Sequence, residues 1–357
     1  MDVSVVLPGQ LGPSELAAWR RAQASHPVLD SAFLSPEFAV AVSRSRPGAR
    51  VAVVRSAGQP VAFLPFERGR LGIGRAIALG VSDVQAVVCE PGMGLDLPEL
   101  VSACGMGVWE FDHAAYGLEA LAPWTYVTGT SRVIDVADGY DAYLREGNRG
   151  SSRTYRSLMQ KSRKLAREHG EVVFEFSSSD LSALATLVHW KSSQYDRTGR
   201  FDRFARPWVK GLVSELAGST APACRGTLST LSAGGRLVAV HFGIGTGTNL
   251  SLWFPAYDPA FAQYSPGLLL FLKMAEAAAS LGTVSLDLGK GTEGYKQWLA
   301  SREYPVASGR VEARFLPSLV RHIEVGTQRR ADSFVLGHPQ LRSHLPGVLN
   351  HIDRIRR

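Results

Sequence analysis

The chain has 357 residues, 45% of them hydrophobic and 20% charged, with a net charge of +7. That supplies a core for one large domain or two, and it excludes a disordered chain. No run of about 18 uninterrupted apolar residues occurs, so no membrane span is expected, and the opening MDVSVVLPGQ lacks the basic and apolar regions of a signal peptide.

In chain order, a helix is expected over 14–25. A second helix start follows at Ser35-Pro36, where serine caps and proline suits the first helical position. VAVVR (51–55) and VAFLPFER (61–68) read as a strand pair, and GVWEFDH (107–113) as a later strand. GRLGIGRAI (69–77) lacks the third glycine of a dinucleotide fingerprint and reads as a hairpin turn. Residues 145–169 hold eight Arg/Lys against two Glu, much of it on one helix, and residues 321–357 hold seven Arg against three acids. The positive excess is therefore two patches, suited to polyanions, nucleotide phosphates or an anionic membrane surface. EVVFEF (171–176) is an expected strand, 180–217 a helical region, 227–245 a hairpin and LSLWFPAY (250–257) a strand. The cysteines Cys89, Cys104 and Cys224 are far apart and odd in number. They argue for a reducing compartment, without a disulfide framework or a zinc pattern, and a cytoplasmic protein is expected.

The stretch AQYSPGLLLFLKMAEAAASLGTVSLDLGKG (262–291) is the most informative. Ser265 is placed to cap a helix over 266–281, with Pro266 at its first position and Gly282 at its end. SLDL (285–288) reads as a buried strand. The unit is strand, tight turn, helix, strand. Gly267 lets a ligand approach the backbone, and a helix N-terminus is suited to a phosphate or pyrophosphate.

Two hairpins match: RSAGQPVAFLPFERG (55–69) and LSAGGRLVAVHFGIG (231–245). Each precedes a strand carrying an acid, Asp112 or Asp287, at near-equal spacing. The pattern implies a duplicated unit. Only the second copy has the Ser-Pro-Gly helix and the following GKG. The first copy is therefore expected to be structural and the second to carry the chemistry.

Residues 150–300 resemble the acetyltransferase-like domain of CelD/BcsL-like proteins, a cellulose-biosynthesis branch of the GNAT superfamily. The residues that carry the resemblance are RTYRSLMQKSRKLAREHGEVVFE, WKSSQYDRTG (190–199), AVHFG, WFPAYDPAFAQYSPGLLL (253–270) and DLGKGTEGYKQW (287–298). The resemblance implies an α/β fold with a mixed α+β sheet, a tandem GNAT-like arrangement of two similar halves. The expected divisions are a degenerate half at 1–135, an acetyltransferase-like half at 136–318 and a basic tail at 319–357. The Fem-type aminoacyl-tRNA-dependent transferases share a similar doubled fold.

The implied activity is N-acyl transfer from acetyl-CoA or another acyl-CoA to an amine, with no metal, in exopolysaccharide or cell-envelope glycan biosynthesis. Amino-sugars, nucleotide-sugars and other amines are the implied acceptors. The implied carrier site is Gln263, Ser265, Gly267 and Leu268, although the usual Arg/Gln-x-x-Gly-x-Gly/Ala spacing is not kept. Asp287, Tyr264, Tyr295 and His241 are the catalytic candidates. Asp287 is placed as a base or as a positioner of Lys290 or Lys296, the tyrosines as acids for the leaving thiolate, and His241 as a base or a core residue. Tyr257 is a further tyrosine candidate. Lys191 and Gln194, three apart on one helix face, are acceptor contacts together with Lys290 and Lys296. The basic helix 153–168 is a contact for an anionic polymer, tRNA or a membrane surface. Two other readings stay open: a Fem-like transferase using aminoacyl-tRNA, favoured by that helix, and a non-catalytic binding module in polysaccharide assembly. No nucleophile elbow or Walker loop occurs.

Overall fold

The computed structural model describes residues 1–291 and 293–313. The first part of the chain runs through β1 (Asp2–Val6), α1 (Pro13–Ala24), α2 (Pro36–Ser45), β2 (Ala49–Ser56), β3 (Gln59–Arg68), β4 (Ile73–Ala76), β5 (Val88–Cys89), α3 (Leu97–Ala103), β6 (Val108–Ala114) and α4 (Leu118–Leu121). Strand β7 (Thr125–Asp135) leads to α5 (Tyr140–Arg145), α6 (Arg153–His169), β8 (Val172–Glu175), α7 (Leu181–Thr198), α8 (Pro207–Ala217), β9 (Arg225–Ala233) and β10 (Arg236–Gly245). There follow β11 (Asn249–Tyr257), α9 (Pro266–Leu281), β12 (Ser285–Lys290), α10 (Gly294–Leu299) and β13 (Arg302–Glu312). The basic tail expected at 319–357 lies outside the described residues.

The fold is a mixed α/β sheet built from two similar halves. Its strands follow the order β1-β2-β3-β4-β6-β13-β7-β12-β11-β10-β9-β8, with β5 added against β3. Read inward from either edge, the two ends repeat. An antiparallel run of three strands (β1-β2-β3 or β8-β9-β10) leads to a fourth (β4 or β11), which pairs in parallel with the next (β6 or β12). The matching hairpins are the β2–β3 and β9–β10 pairs, and the matching acids sit on β6 and β12. The halves exchange their last strands: β7 pairs with β12, while β13 inserts between β6 and β7.

Helices cover both faces of the inner strands, so these read as apolar runs rather than alternating ones. In β2, Val51 and Val53 face the core that holds α1, α2, α7 and α8, while Ala52 and Val54 face the core under α3. In β10, Val240, Phe242 and Ile244 face that first core, which both halves share. The second half's other face is covered by α6 and α9 through Leu158, Leu165, Leu270 and Met274.

The two Ser-Pro helix starts differ. Ser35 caps α2 as expected, its Oγ accepting from the Phe38 N–H at 3.0 Å. Ser265 does not cap α9: its φ is +55° and its side chain makes no capping bond. Its Oγ instead accepts from Lys161 Nζ at 2.8 Å, which ties the basic helix α6 to the start of α9. The region expected to be helical over 180–217 is two helices, broken where Gly199 ends α7 in the left-handed conformation.

Arg149 joins the chain ends of the second half. Its guanidinium donates to the carbonyls of Tyr143, Trp298 and Ala300 and lies over the Tyr143 ring at 4.1 Å. This arginine is buried and is held among carbonyl oxygens.

Candidate functional site

Strands β11 and β12 pair only from Asn249↔Ser285 to Ser251↔Asp287. Beyond that they part, and β11 continues to Tyr257 beside a widening gap. Pro255, which has no N–H to give a ladder, lies on the parted stretch. A cleft of about 1940 Å³ opens there. It is lined by Pro255 and Tyr257 of β11, by Gly289 and Lys290 of β12, and by Ser265 to Leu268 at the start of α9. Lys191, Gln194 and Tyr195 of α7 form another wall, with Tyr295 and Lys296 of α10.

At the start of α9, Pro266 has no N–H, and the Ser265 carbonyl takes the N–H groups of Leu268 and Leu269 at 3.1 and 3.2 Å. Gly267 therefore supplies the first-turn N–H that has no acceptor within the helix. A Cβ built there would meet only Tyr257 Cδ1 at 3.6 Å, an ordinary contact.

Lys191 is the most perturbed cation of the cleft. Its Nζ donates to Gln194 Oε1 and to the Pro255 carbonyl, both at 3.1 Å, so it sits against the parted edge of β11. Burial, reinforced by the charges of Arg203, Arg200 and Lys296, lowers its pKa to about 8. Between about pH 8 and 10.5 the unfolded chain holds this proton and the folded chain does not. Folding stability should therefore rise with pH across that window. Urea unfolding at successive pH values should show this rise in the wild type, and Lys191→Met should lose it.

The first half also enters the cleft. Residues 77–87 leave β4 and cross to the second half, where the Val81 carbonyl accepts from Trp253 Nε1 at 2.8 Å. Gln85 bonds through its backbone to the end of β6, at His113 and Ala115. This path brings Asp83, Asp112 and His113 to the cleft wall. Gly289, at φ +71°, closes on it: a Cβ there would lie 3.4 Å from Asp83 Oδ2. Burial raises the pKa of Asp83, against the charges of His113, Arg203 and Lys296. Asp112 is pushed up by burial but held low overall, because it accepts from His113 Nδ1 at 3.0 Å and from Gln85 Nε2 at 2.6 Å. The first half thus lines part of the cleft, which its expected structural role did not include. GVSDVQ showed no helix start, and an acid on a crossing loop leaves no periodic signal.

The other sequence candidates fall in different places. Tyr295 lines the cleft and stacks on Phe271 at 6.1 Å, and burial raises its pKa to about 12. Lys296 lines it too, its Nζ donating to the Lys290 carbonyl at 3.0 Å, while Lys290 Nζ donates to Ser308 Oγ at 3.2 Å. Asp287 is absent from the lining. It accepts from Tyr304, from Ser131 at 2.9 Å and from the Gly289 N–H at 2.8 Å, and contacts neither lysine. Burial raises its pKa against those bonds. Tyr264 is buried beside α6, donating to Glu168 at 2.5 Å with His169 at 3.1 Å. Gln263 is exposed on the outside of the turn. His241 is fully buried on β10 near Phe271, with neither ring nitrogen hydrogen-bonded, and burial holds it neutral with a pKa near 3.

Comparison with known proteins fits this geometry. Residues 152–297 match the model of the acetyltransferase (GNAT) domain, which spans the basic helix, the parted strands and the α9 turn. The chain is an acyltransferase. FemX superposes on the acyltransferase with a TM-score of 0.60 at 12% identity, over 90% of this chain and 99% of its own. The C-terminal domain of a putative lysylphosphatidylglycerol synthetase from Agrobacterium fabrum does so at 0.50 and 15%, over 83% and 92%. A tandem GNAT protein from the clavulanic acid biosynthesis pathway reaches 0.46 at 12%, over 88% and 100%. Identities this low speak for the fold alone, which the superpositions at 0.60 and 0.50 carry. No curated protein matches the sequence. Among the described residues of the acyltransferase, no helix is long and apolar enough to cross a membrane and no group of side chains is arranged to hold a metal ion.

Proposed function

We propose that the chain transfers an acyl group from an acyl-CoA to the amine of a glycan-type acceptor, an amino-sugar or nucleotide-sugar, in exopolysaccharide or envelope-glycan synthesis. The observation that carries this reading is the parting of β11 from β12 beside the start of α9, in one cleft with Lys191, Asp83 and Tyr295. The donor's pyrophosphate fits the Gly267 N–H, with Lys161 anchored alongside on Ser265. The thioester then lies along the open edge of β11. Asp83, whose affinity for a proton burial raises, takes the proton of the incoming ammonium, and the amine lone pair forms the C–N bond. Lys191 donates to the developing oxyanion. As the C–S bond breaks, Tyr295, protonated at neutral pH, gives its proton to the thiolate, and the second proton of the attacking nitrogen passes to the Tyr295 phenolate as the amide forms. Asp287, held by three donors, positions Gly289 and the β12 edge. Tyr264 and His241, outside the cleft lining, are assigned to packing.

Acetyl-CoA at about 100 times its dissociation constant should stabilise the chain by about 2.7 kcal/mol. Gly267→Glu should abolish that shift, since the added carboxylate meets no steric conflict at its Cβ and repels the pyrophosphate. An unchanged shift in the variant would remove the α9 turn from donor binding.

A second reading is supported by α6. Its arginines and lysines stand next to the α9 turn through the Lys161–Ser265 bond, an arrangement that also suits an aminoacyl-tRNA donor. Stabilisation by tRNA that falls steeply with salt, without any by acetyl-CoA, would favour it.

A further inference from the structure

We infer that the cleft binds an oxyanion of the acceptor, a carboxylate or a phosphate, on the guanidinium of Arg203 beside Lys191. This rests on the acyltransferase reading and adds a substrate class to it: an amine carrying a negative group near its reacting nitrogen.

Arg203 is held where it can do this. It opens the short turn Arg203–Ala205, which Asp202 caps by accepting from the Phe204 N–H at 2.9 Å. Phe204 is fully buried against Phe254, ring centres 4.8 Å apart, so the turn is pinned from below and Arg203 lies on the cleft wall. Other arginines of the cleft are matched by acids: Arg46 with Glu67 at 2.6 Å and Arg75 with Glu110 at 3.3 Å. The Arg203 carbonyl accepts from the Arg206 N–H at 3.3 Å, while its guanidinium makes no hydrogen bond or ion pair with another described residue.

Cations outnumber acids around it, and the acids within reach of its charge are Asp83 and Asp112. Eight Arg/Lys and five Asp/Glu line the cleft. Glu293 is shared between Lys296 at 3.7 Å and Arg200 at 3.8 Å. Lys191 spends two of its three donors on Gln194 and Pro255, which leaves one to give. Asp83, Asp112 and Glu293 offset only part of the cost of gathering Lys191, Arg200, Arg203 and Lys296 around partly desolvated space, and an entering anion offsets more of it. A planar guanidinium fork suits two oxygens of one carboxylate or phosphate. The lowered pKa of Lys191 agrees with cations that await a counter-charge.

The test uses the full chain and two probes, inorganic phosphate and acetate, each titrated by thermal unfolding with acetyl-CoA measured in parallel. Wild type, Arg203→Gln, Arg203→Lys and a control, Arg225→Gln on the exposed start of β9, are compared. At least one probe should stabilise the wild type and the control, with a tenfold or greater loss of apparent affinity in Arg203→Gln. Arg203→Lys, which keeps the charge but not the fork, should lose less. Response to phosphate alone points to a phosphorylated acceptor, and response to acetate alone to a carboxylate. No response in the wild type, or equal affinity in Arg203→Gln, overturns the inference. An acetyl-CoA shift that persists in that case leaves the acyltransferase reading standing. Anion binding lost in Arg203→Gln without any acetyl-CoA shift supports the anion site and removes acyl-CoA as donor.

Discussion

Replacing Asp83 by Asn should lower kcat by about 10²–10⁴-fold, the range of a lost general base, with acetyl-CoA binding unchanged. The side chain keeps its shape and loses only the ability to take a proton. Asp83 stands on the cleft wall against Gly289, and burial raises its pKa. A base works in its deprotonated form, so the wild-type rate should climb with pH through that raised pKa. The variant should lose this acidic limb. Asp287→Asn is the informative comparison, because Asp287 is surrounded by the donors Tyr304, Ser131 and the Gly289 N–H. It should reduce stability and leave the acidic limb in place. If Asp83→Asn turns over normally and Asp287→Asn does not, the base is assigned to the wrong half.

Arg149→Ala should cost about 3–5 kcal/mol of folding stability, the scale of breaking a buried charged network. The guanidinium satisfies three carbonyls, of Tyr143, Trp298 and Ala300. Truncation strands them in a region that the Tyr143 ring helps to keep dry. The midpoint of urea unfolding should fall with the slope unchanged. Arg149→Lys should recover little, since an ammonium cannot span three oxygens in one plane. A loss below about 1 kcal/mol, the scale of an exposed pair, would show that water replaces the clamp.

The sequence was most legible where local chemistry and fold agree. Ser-Pro starts, apolar runs and Gly-turn hairpins placed α2, α9 and the β2–β3 and β9–β10 pairs close to their observed bounds. The repeat was visible because both halves need the same hairpin before the same parallel pair. Lys191 and Gln194 were legible as neighbours, since three positions on a helix set their contact at 3.1 Å. The Ser265 conformation was not. Serine before proline signals a cap, and only the tertiary bond from Lys161 shows why the side chain turns away. Asp83 and Arg203 were missed for a related reason. One lies on a crossing loop and the other on a three-residue turn, so their positions depend on distant partners, Trp253 and Phe254. The strand exchange was equally hidden: β7 and β13 drew no strand expectation, and nothing local in a strand names the half it joins.

That exchange governs how the molecule comes into being. One edge of β6 is met by β4, where Glu110 stands opposite Arg75, and the other only by β13, where it stands opposite Arg310. A ribosome must therefore release nearly the whole described chain before the first half can close its open edge. Until then β6 presents bare backbone, a template for pairing with other nascent chains. The cleft cannot exist in that interval either, since its walls come from both sides of the exchange. Assembly of the two halves and creation of the site are one event, so a chain cut short before β13 carries neither a finished sheet nor a working pocket.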